Sequence, residues 1–252
     1  MFIGMGSLFV KERGGITDTG VATAWGAVIT VNIYTFGHIS GAHINPAVTF
    51  ALALVGQFPW KHVLIYVIAE VVGAILASLT LLFLFDGENM RIMLTLPPGP
   101  NPAADLKVVV WELIISFMYA MANYGAKVDP RSTKELSGVA VGTAIFFCIL
   151  VAGEITGASM NPARSLGPAI MTGNYSKIWI YVLSPVVGSV AAAAIFFVLL
   201  MPKNKEITDQ DKQPETALIS EDASRHSVNL NLNHFFSQEF KSSSVSTREL
   251  RV

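Results

Sequence analysis

The chain has 252 residues, is 52% hydrophobic and only 14% charged, with a mean hydropathy of +0.52. Soluble domains carry about 25% charged residues, so this composition excludes an ordinary soluble domain and indicates a polytopic membrane protein. A net charge of −1 leaves no footprint for nucleic acid, and a single cysteine, Cys148, excludes an intrachain disulfide framework.

Taken in order, the chain opens on Met1–Val10, an apolar stub without a basic region that runs straight into Lys11-Glu-Arg13. This is not the pattern of a cleavable signal peptide. It is also far too short for a bilayer crossing, which needs about 20 mostly apolar residues. Complete spans are predicted at roughly 17–37, 60–85, 107–127, 136–153 and 177–201. Two shorter helices are predicted at roughly 46–55 and 162–171, each opening on Asn-Pro. Asn is a preferred N-cap, and Pro suits the first helical position. Small residues recur at four-residue spacing, as in Ala69, Gly73 and Ala77, in Gly138 and Gly142, and in Ser184, Gly188 and Ala192. Such rows let helices approach closely in lipid. The membrane domain is expected over 1–201. Residues 202–252, rich in Ser, Asn, Glu, Asp and Lys, are expected to form a disordered cytoplasmic tail.

The two Asn-Pro helices belong to an internal repeat. When Gly37-His-Ile-Ser-Gly-Ala-His-Ile-Asn-Pro-Ala47 is set on Gly153-Glu-Ile-Thr-Gly-Ala-Ser-Met-Asn-Pro-Ala163, the Gly, Ile, Gly, Ala, Asn, Pro and Ala positions coincide. Downstream, Ile65-Tyr-Val-Ile-Ala-Glu-Val-Val-Gly73 parallels Ile180-Tyr-Val-Leu-Ser-Pro-Val-Val-Gly188. Three spans separate the motifs. An odd number of crossings reverses direction, so the repeat is inverted, an architecture that places sites near the midplane. Each unit reads as span, span, half-helix, span. The first unit is one span short, residues 1–10 read as its end, and such a stub is expected to insert poorly on its own. With the 128–135 loop inside, Lys61, Lys127, Arg131, Lys134, Lys203 and Lys205 give a small cytoplasmic excess of positive charge.

The motifs carry chemistry suited to a pore. A half-helix N-terminus presents unpaired N–H groups and roughly half a positive charge. Two of them meeting end to end repel cations and hydronium. The side-chain oxygens of Asn45 and Asn161 cap their own helices, leaving each NH2 to point into a lumen. The carbonyls of Gly41, Ala42, His43 and Ile44, and those of Gly157, Ala158, Ser159 and Met160, are expected to form an acceptor ladder. Arg164, a permanent charge at membrane depth, is a functional-site candidate by default. His38 and His43 lack a third ligand, so no metal site is expected.

The paired boxes Ser40-Gly-Ala-His-Ile-Asn-Pro-Ala-Val-Thr49 and Gly157-Ala-Ser-Met-Asn-Pro-Ala-Arg-Ser165 resemble those of the aquaporins, the major intrinsic protein family, over nearly all of residues 1–201. Gly37-His-Ile-Ser-Gly-Ala-His43 and Ser159-Met-Asn-Pro-Ala-Arg-Ser-Leu-Gly-Pro168 resemble the plant nodulin-type intrinsic proteins in particular. The resemblance implies an all-α membrane protein with two re-entrant half-helices built on Asn45-Pro46-Ala47 and Asn161-Pro162-Ala163. It further implies a homotetramer, or a heterotetramer with related aquaporins, in the plasma membrane or another cell membrane. By spacing from the two Asn residues it places the family's selectivity filter at Trp25, Ile149, Ala158 and Arg164, a set that resembles a glycerol-permeable filter. Glu112 resembles the family's buried glutamate bracing a re-entrant loop, whose first-half partner is expected in the missing segment.

The function expected is a passive channel for water and small uncharged solutes such as glycerol, with urea, ammonia and undissociated metalloid acids as further candidates. It excludes protons and ions, with no cofactor and no enzymatic step. Two other readings stay open: a non-conducting subunit that assembles with complete relatives, and a coupled secondary transporter, for which Glu70 and Glu154 would supply carboxylates. Arg225-His-Ser227 resembles a basophilic kinase site, with Ser227 the expected phosphoacceptor.

Overall fold

The computed structural model describes residues 1–87 and 89–200. The expected tail, with Ser227, lies outside the described residues. α1 (Phe2–Glu12) is followed by α2 (Asp18–Ser40), the half-helix α3 (Pro46–Leu54) and α4 (Trp60–Leu84). The second half repeats the order with α5 (Asp105–Asn123), α6 (Ser137–Thr156), the half-helix α7 (Pro162–Thr172) and α8 (Ile178–Ile195). α5 and α8 each run on into a widened π turn, Tyr124–Val128 and Phe196–Leu200. Among the described residues there is no strand.

The ends of these elements follow from local chemistry. Thr17 caps α2, its side chain accepting from the Gly20 amide. α2 then continues past the expected end at 37 to Ser40, where Gly41 turns left-handed at φ 74°. α6 ends the same way at Gly157, φ 86°. Glycine meets this φ without a Cβ penalty, which makes it a natural helix stop. α3 and α7 begin at Pro46 and Pro162, capped by Asn45 and Asn161, as expected.

Among the described residues, three helical stretches, 60–84, 134–156 and 178–200, are by themselves long and apolar enough to cross a bilayer. α2 and α5 sit in the same bundle but place polar groups inside it, which dilutes their hydropathy. Thr30 Oγ1 of α2 bonds the Gly138 carbonyl at 3.1 Å, and Glu112 of α5 is fully buried. Polarity is thus inverted relative to a soluble protein. Leu64, Phe83 and Leu106 face outward, while Thr49, Ser78, Thr156 and Ser189 are buried.

The packing repeats with the sequence. α3 lies on α8 as α7 lies on α4, and α2 and α6 pack on each other between the two halves. α1, at 11 residues, reaches about 16 Å at 1.5 Å per residue, roughly half of a hydrocarbon core of about 30 Å. Beyond Met1 a groove of about 860 Å³ runs between α2 and α4, touching Asn32, Ile44, Tyr66, Glu70 and Leu76.

The small-residue rows separate into crossings and bystanders. A Cβ on Gly142 would lie 2.5 Å from the Gly26 carbonyl at the α2–α6 crossing, whereas one on Gly73 would meet nothing within 4 Å. Gly142→Val is therefore expected to destabilise the bundle by about 1–3 kcal/mol, the usual range for overpacking. Gly73→Val should leave the melting temperature in detergent unchanged. Equal shifts in the two variants would show that the crossing does not set the packing.

Candidate functional site

The two loops that lead into the half-helices have the same backbone. Asn45 sits at φ −155°, ψ 115° and Asn161 at φ −150°, ψ 110°. Ahead of them Ala42 and Ala158 are left-handed at φ 43° and 42°, and Ile44 and Met160 at 57° and 53°. Non-glycine residues in this region cost about 1–3 kcal/mol each and persist where the surroundings over-determine them. Side chains repeat as well. His43 Nδ1 is 3.1 Å from Thr49 Oγ1, and the equivalent pair, Ser159 Oγ and Ser165 Oγ, is 2.6 Å apart.

Each Asn oxygen caps its own helix. Asn45 Oδ1 accepts from Ala47 N at 2.9 Å, and Asn161 Oδ1 from Ala163 N at 3.0 Å. The amides do more than point into a lumen. Asn45 Nδ2 donates to the Met160 carbonyl and Asn161 Nδ2 to the Ile44 carbonyl, both at 2.8 Å. Each NH2 has two donors, so the cross-tie uses one and leaves one. The ties lock the N-termini of α3 and α7 against each other and engage two of the eight expected ladder carbonyls. Two more, those of Gly41 and Ala42, accept from Lys127 Nζ at 2.7 and 3.2 Å.

Three cavities mark a path through this junction. On the face carrying Lys11, Asp18 and Glu154, a cavity of about 310 Å³ is lined by Trp25, Ile149, Ala158 and Arg164 together. At the midplane a space of about 20 Å³ touches Asn45, Asn161, Trp25 and Arg164, enough for about one water. On the face carrying the 128–136 loop, about 510 Å³ opens beside Gly41, His43, Asn123 and Lys127. All four filter residues expected from the sequence thus meet at one mouth. Arg164 is 4% exposed, donates from Nη1 to the Met93 carbonyl at 2.6 Å, and lies 5.7 Å from the Trp25 ring centroid. That distance is within cation–π range.

A family model described as Major intrinsic protein matches residues 1–196. The chain belongs to the major intrinsic protein family. Aquaporin NIP1-1 of Zea mays is 46% identical over 195 residues, covering 77% of this chain and 68% of that protein. Nodulin-26 of Glycine max is 46% identical over 198 residues, covering 78% and 72%. The solved structure of the aquaglyceroporin from Plasmodium falciparum superposes with a TM-score of 0.70 at 23% identity, covering 78% of this chain and 89% of that one, and shows the same fold. As a NIP-type aquaporin the chain is a passive membrane channel for water and small solutes, not an enzyme.

The braces of this aquaporin's loops were only half legible. Glu112 accepts from Ser159 N at 3.0 Å and Thr156 Oγ1 at 2.7 Å through Oε1, and from Met160 N at 3.0 Å through Oε2. Within the chain the first loop is held from a different helix, by Glu70 of α4. Glu70 Oε1 accepts from Asn45 N at 3.0 Å and Thr49 Oγ1 at 2.9 Å. Its Oε2 is buried without a partner among the described residues. The signal for this was available: in the aligned downstream segments Glu70 stands opposite Pro185, the one place where a carboxylate replaces a residue with no polar side chain. The Met93 carbonyl that holds Arg164 had no signal, because any backbone can supply a carbonyl.

The two braces predict different responses to an isosteric change. Glu112→Gln replaces one of two accepting oxygens by a donor that faces an N–H or hydroxyl. Glu70→Gln can keep its single accepting oxygen. Hydrogen bonds to charged groups contribute about 1.5–3 kcal/mol, so Glu112→Gln should lower the melting temperature clearly and Glu70→Gln much less. The reverse order would mean that Glu112 is not the principal support of the second loop.

Proposed function

We propose that this channel conducts water and small uncharged polyols, glycerol foremost, through a filter formed by Trp25, Ile149, Ala158 and Arg164. The arrangement of these four side chains around one cavity carries the reading. Trp25 and Ile149 give an apolar wall, Arg164 a hydrogen-bonding one, and Ala158 leaves room. A polyol can turn its carbons to one wall and its hydroxyls to the other, and pore selectivity follows from diameter and lining groups of this kind. Urea, ammonia and undissociated metalloid acids fit the same neutral, hydrogen-bonding description.

Ion exclusion is assigned to the junction of the half-helices. A water at the midplane is held through its oxygen by the remaining donors of Asn45 and Asn161, so it does not relay a proton. Two helix N-termini add positive potential there. The channel acts as a homotetramer, or as a heterotetramer with related aquaporins, and Ser227 is proposed as a site for a basophilic kinase.

Trp25→His with Ile149→His, reconstituted in proteoliposomes, is expected to lower glycerol permeability about tenfold while water flow persists, because donors and acceptors then replace the apolar wall. Stopped-flow swelling reads both. Parental glycerol permeability in the double variant would remove these two residues from the filter. Asn161→Asp keeps the cap, since Asp caps as well as Asn, but loses the donor to Ile44 and adds a carboxylate at the positive midpoint. Proton and cation leak should rise in the folded variant; an unchanged leak would place the barrier elsewhere.

A further inference from the structure

The mouth on the 128–136 loop face is built differently from the filter mouth. Its cavity is lined by Lys127 beside Gly41, His43 and Asn123. Lys127 sits on the π turn Tyr124–Val128 that ends α5. Its ammonium reaches across to the first re-entrant loop and donates to Gly41 O at 2.7 Å and Ala42 O at 3.2 Å. In the second half Tyr181 Oη bonds the Thr156 carbonyl at 2.6 Å just as Tyr66 Oη bonds the Ser40 carbonyl at 3.1 Å, so that pair keeps the two-fold relation. Arg164 Nη1, by contrast, goes to the Met93 carbonyl at 2.6 Å. The two-fold relation between the loops is therefore broken at the carbonyls of Gly41 and Ala42.

The base of Lys127 is itself fixed. Lys134 Nζ donates to the Lys127 carbonyl at 2.8 Å and to the Asp129 carbonyl at 2.5 Å. Ser132 Oγ donates to the Ala126 carbonyl at 2.9 Å. Arg131 Nε and Nη2 grip the Asp129 carboxylate at 2.9 and 2.5 Å, and those bonds lower its pKa to about 2. These bonds fix the backbone from which the Lys127 side chain projects. Its tip then holds a segment in which Ala42 sits at a strained φ of 43°, through charge-assisted bonds, which are about twice as strong as neutral ones.

We propose that Lys127 is a positioning residue for the first re-entrant loop and thereby sets the selectivity of this mouth. It clamps the loop that ends in Asn45, and it withdraws two acceptor carbonyls from the solute path. An ammonium has three donors; two are used, and the third meets solute or water in the cavity. The two mouths therefore present different chemistry: a carbonyl-rich approach at Gly157 and Ala158 on one face, a cationic donor on the other. The inference rests on the channel reading for its selectivity part only; the clamp stands on geometry.

The test uses the full chain in lipid vesicles with Lys127→Met, which removes charge and donors, and Lys127→Arg, which keeps both. Amide hydrogen exchange of the peptide covering residues 37–48 should quicken on the order of tenfold in the Met variant and stay near the parent in the Arg variant. The glycerol-to-water permeability ratio should rise about twofold or more in the Met variant, because freed carbonyls favour a solute with several hydroxyls. Unchanged loop exchange in the Met variant overturns the clamp. A conducting parent whose Met variant loses glycerol and water flux in equal proportion overturns the role in selectivity. A parent that passes neither solute above empty vesicles defeats the channel reading instead, while the exchange measurement still decides whether Lys127 holds the loop.

Discussion

Non-helical backbone has no solvent to bond with inside a bilayer, and residues 41–45 and 157–161 place two such stretches at its midplane. Every exposed amide and carbonyl there needs a partner from protein or lumen. Glu70 and Glu112 take amides of the two loops, and Thr156 Oγ1 takes the Ala158 amide at 3.0 Å. The Asn45 and Asn161 amides take a carbonyl from each opposite loop. With these bonds made, left-handed Ala42, Ile44, Ala158 and Met160 become tolerable, and the two half-helices can meet end to end. The pore is what remains between the satisfied groups.

The same requirement explains why charge is kept in the interior. A carboxylate is the strongest acceptor for converging amides, and Glu112 uses both oxygens for that purpose. Arg164 is in turn stabilised by a backbone carbonyl and an aromatic face. Each half keeps a carboxylate, Glu70 and Glu112, but Arg164 has only Val48 at its place in the first motif, and Lys127 lies at the mouth formed by the first loop. An approximate two-fold fold thus carries an asymmetric set of charges, which gives its two ends different chemistry. The bundle itself is held by close helix crossings such as Gly26 with Gly142, where the absence of side chains lets carbonyls and Cα atoms touch.

Glu70 shows how a local irregularity supports the symmetric frame. Its helix position is α4, whereas Glu112 is on α5, so the two braces approach their loops from non-equivalent directions. Glu70 also has one oxygen without a partner among the described residues, beside the groove past α1. The first loop receives additional support from Lys127, and the second loop, with three acceptor contacts to Glu112, does without it.

The sequence by itself determined the inverted repeat and the two capped half-helices. Those features are local or periodic. Asn45-Pro46 and Asn161-Pro162 start helices by local capping, Gly41 and Gly157 stop one, and the count of apolar runs between the motifs fixes their relative direction. The four positions proposed for the filter came from the family resemblance, by its offsets from Asn45 and Asn161, and only the packed helices bring them around one cavity. Only the tertiary structure decided what each polar group bonds to. The Asn45–Met160 and Asn161–Ile44 ties span 115 and 117 residues, Lys127 to Gly41 spans 86, and Arg164 to Met93 spans 71. The acceptors in these bonds are backbone carbonyls, identical at every position of the chain, so no residue type announces them. The helices must be packed before a particular carbonyl comes within reach of a particular donor.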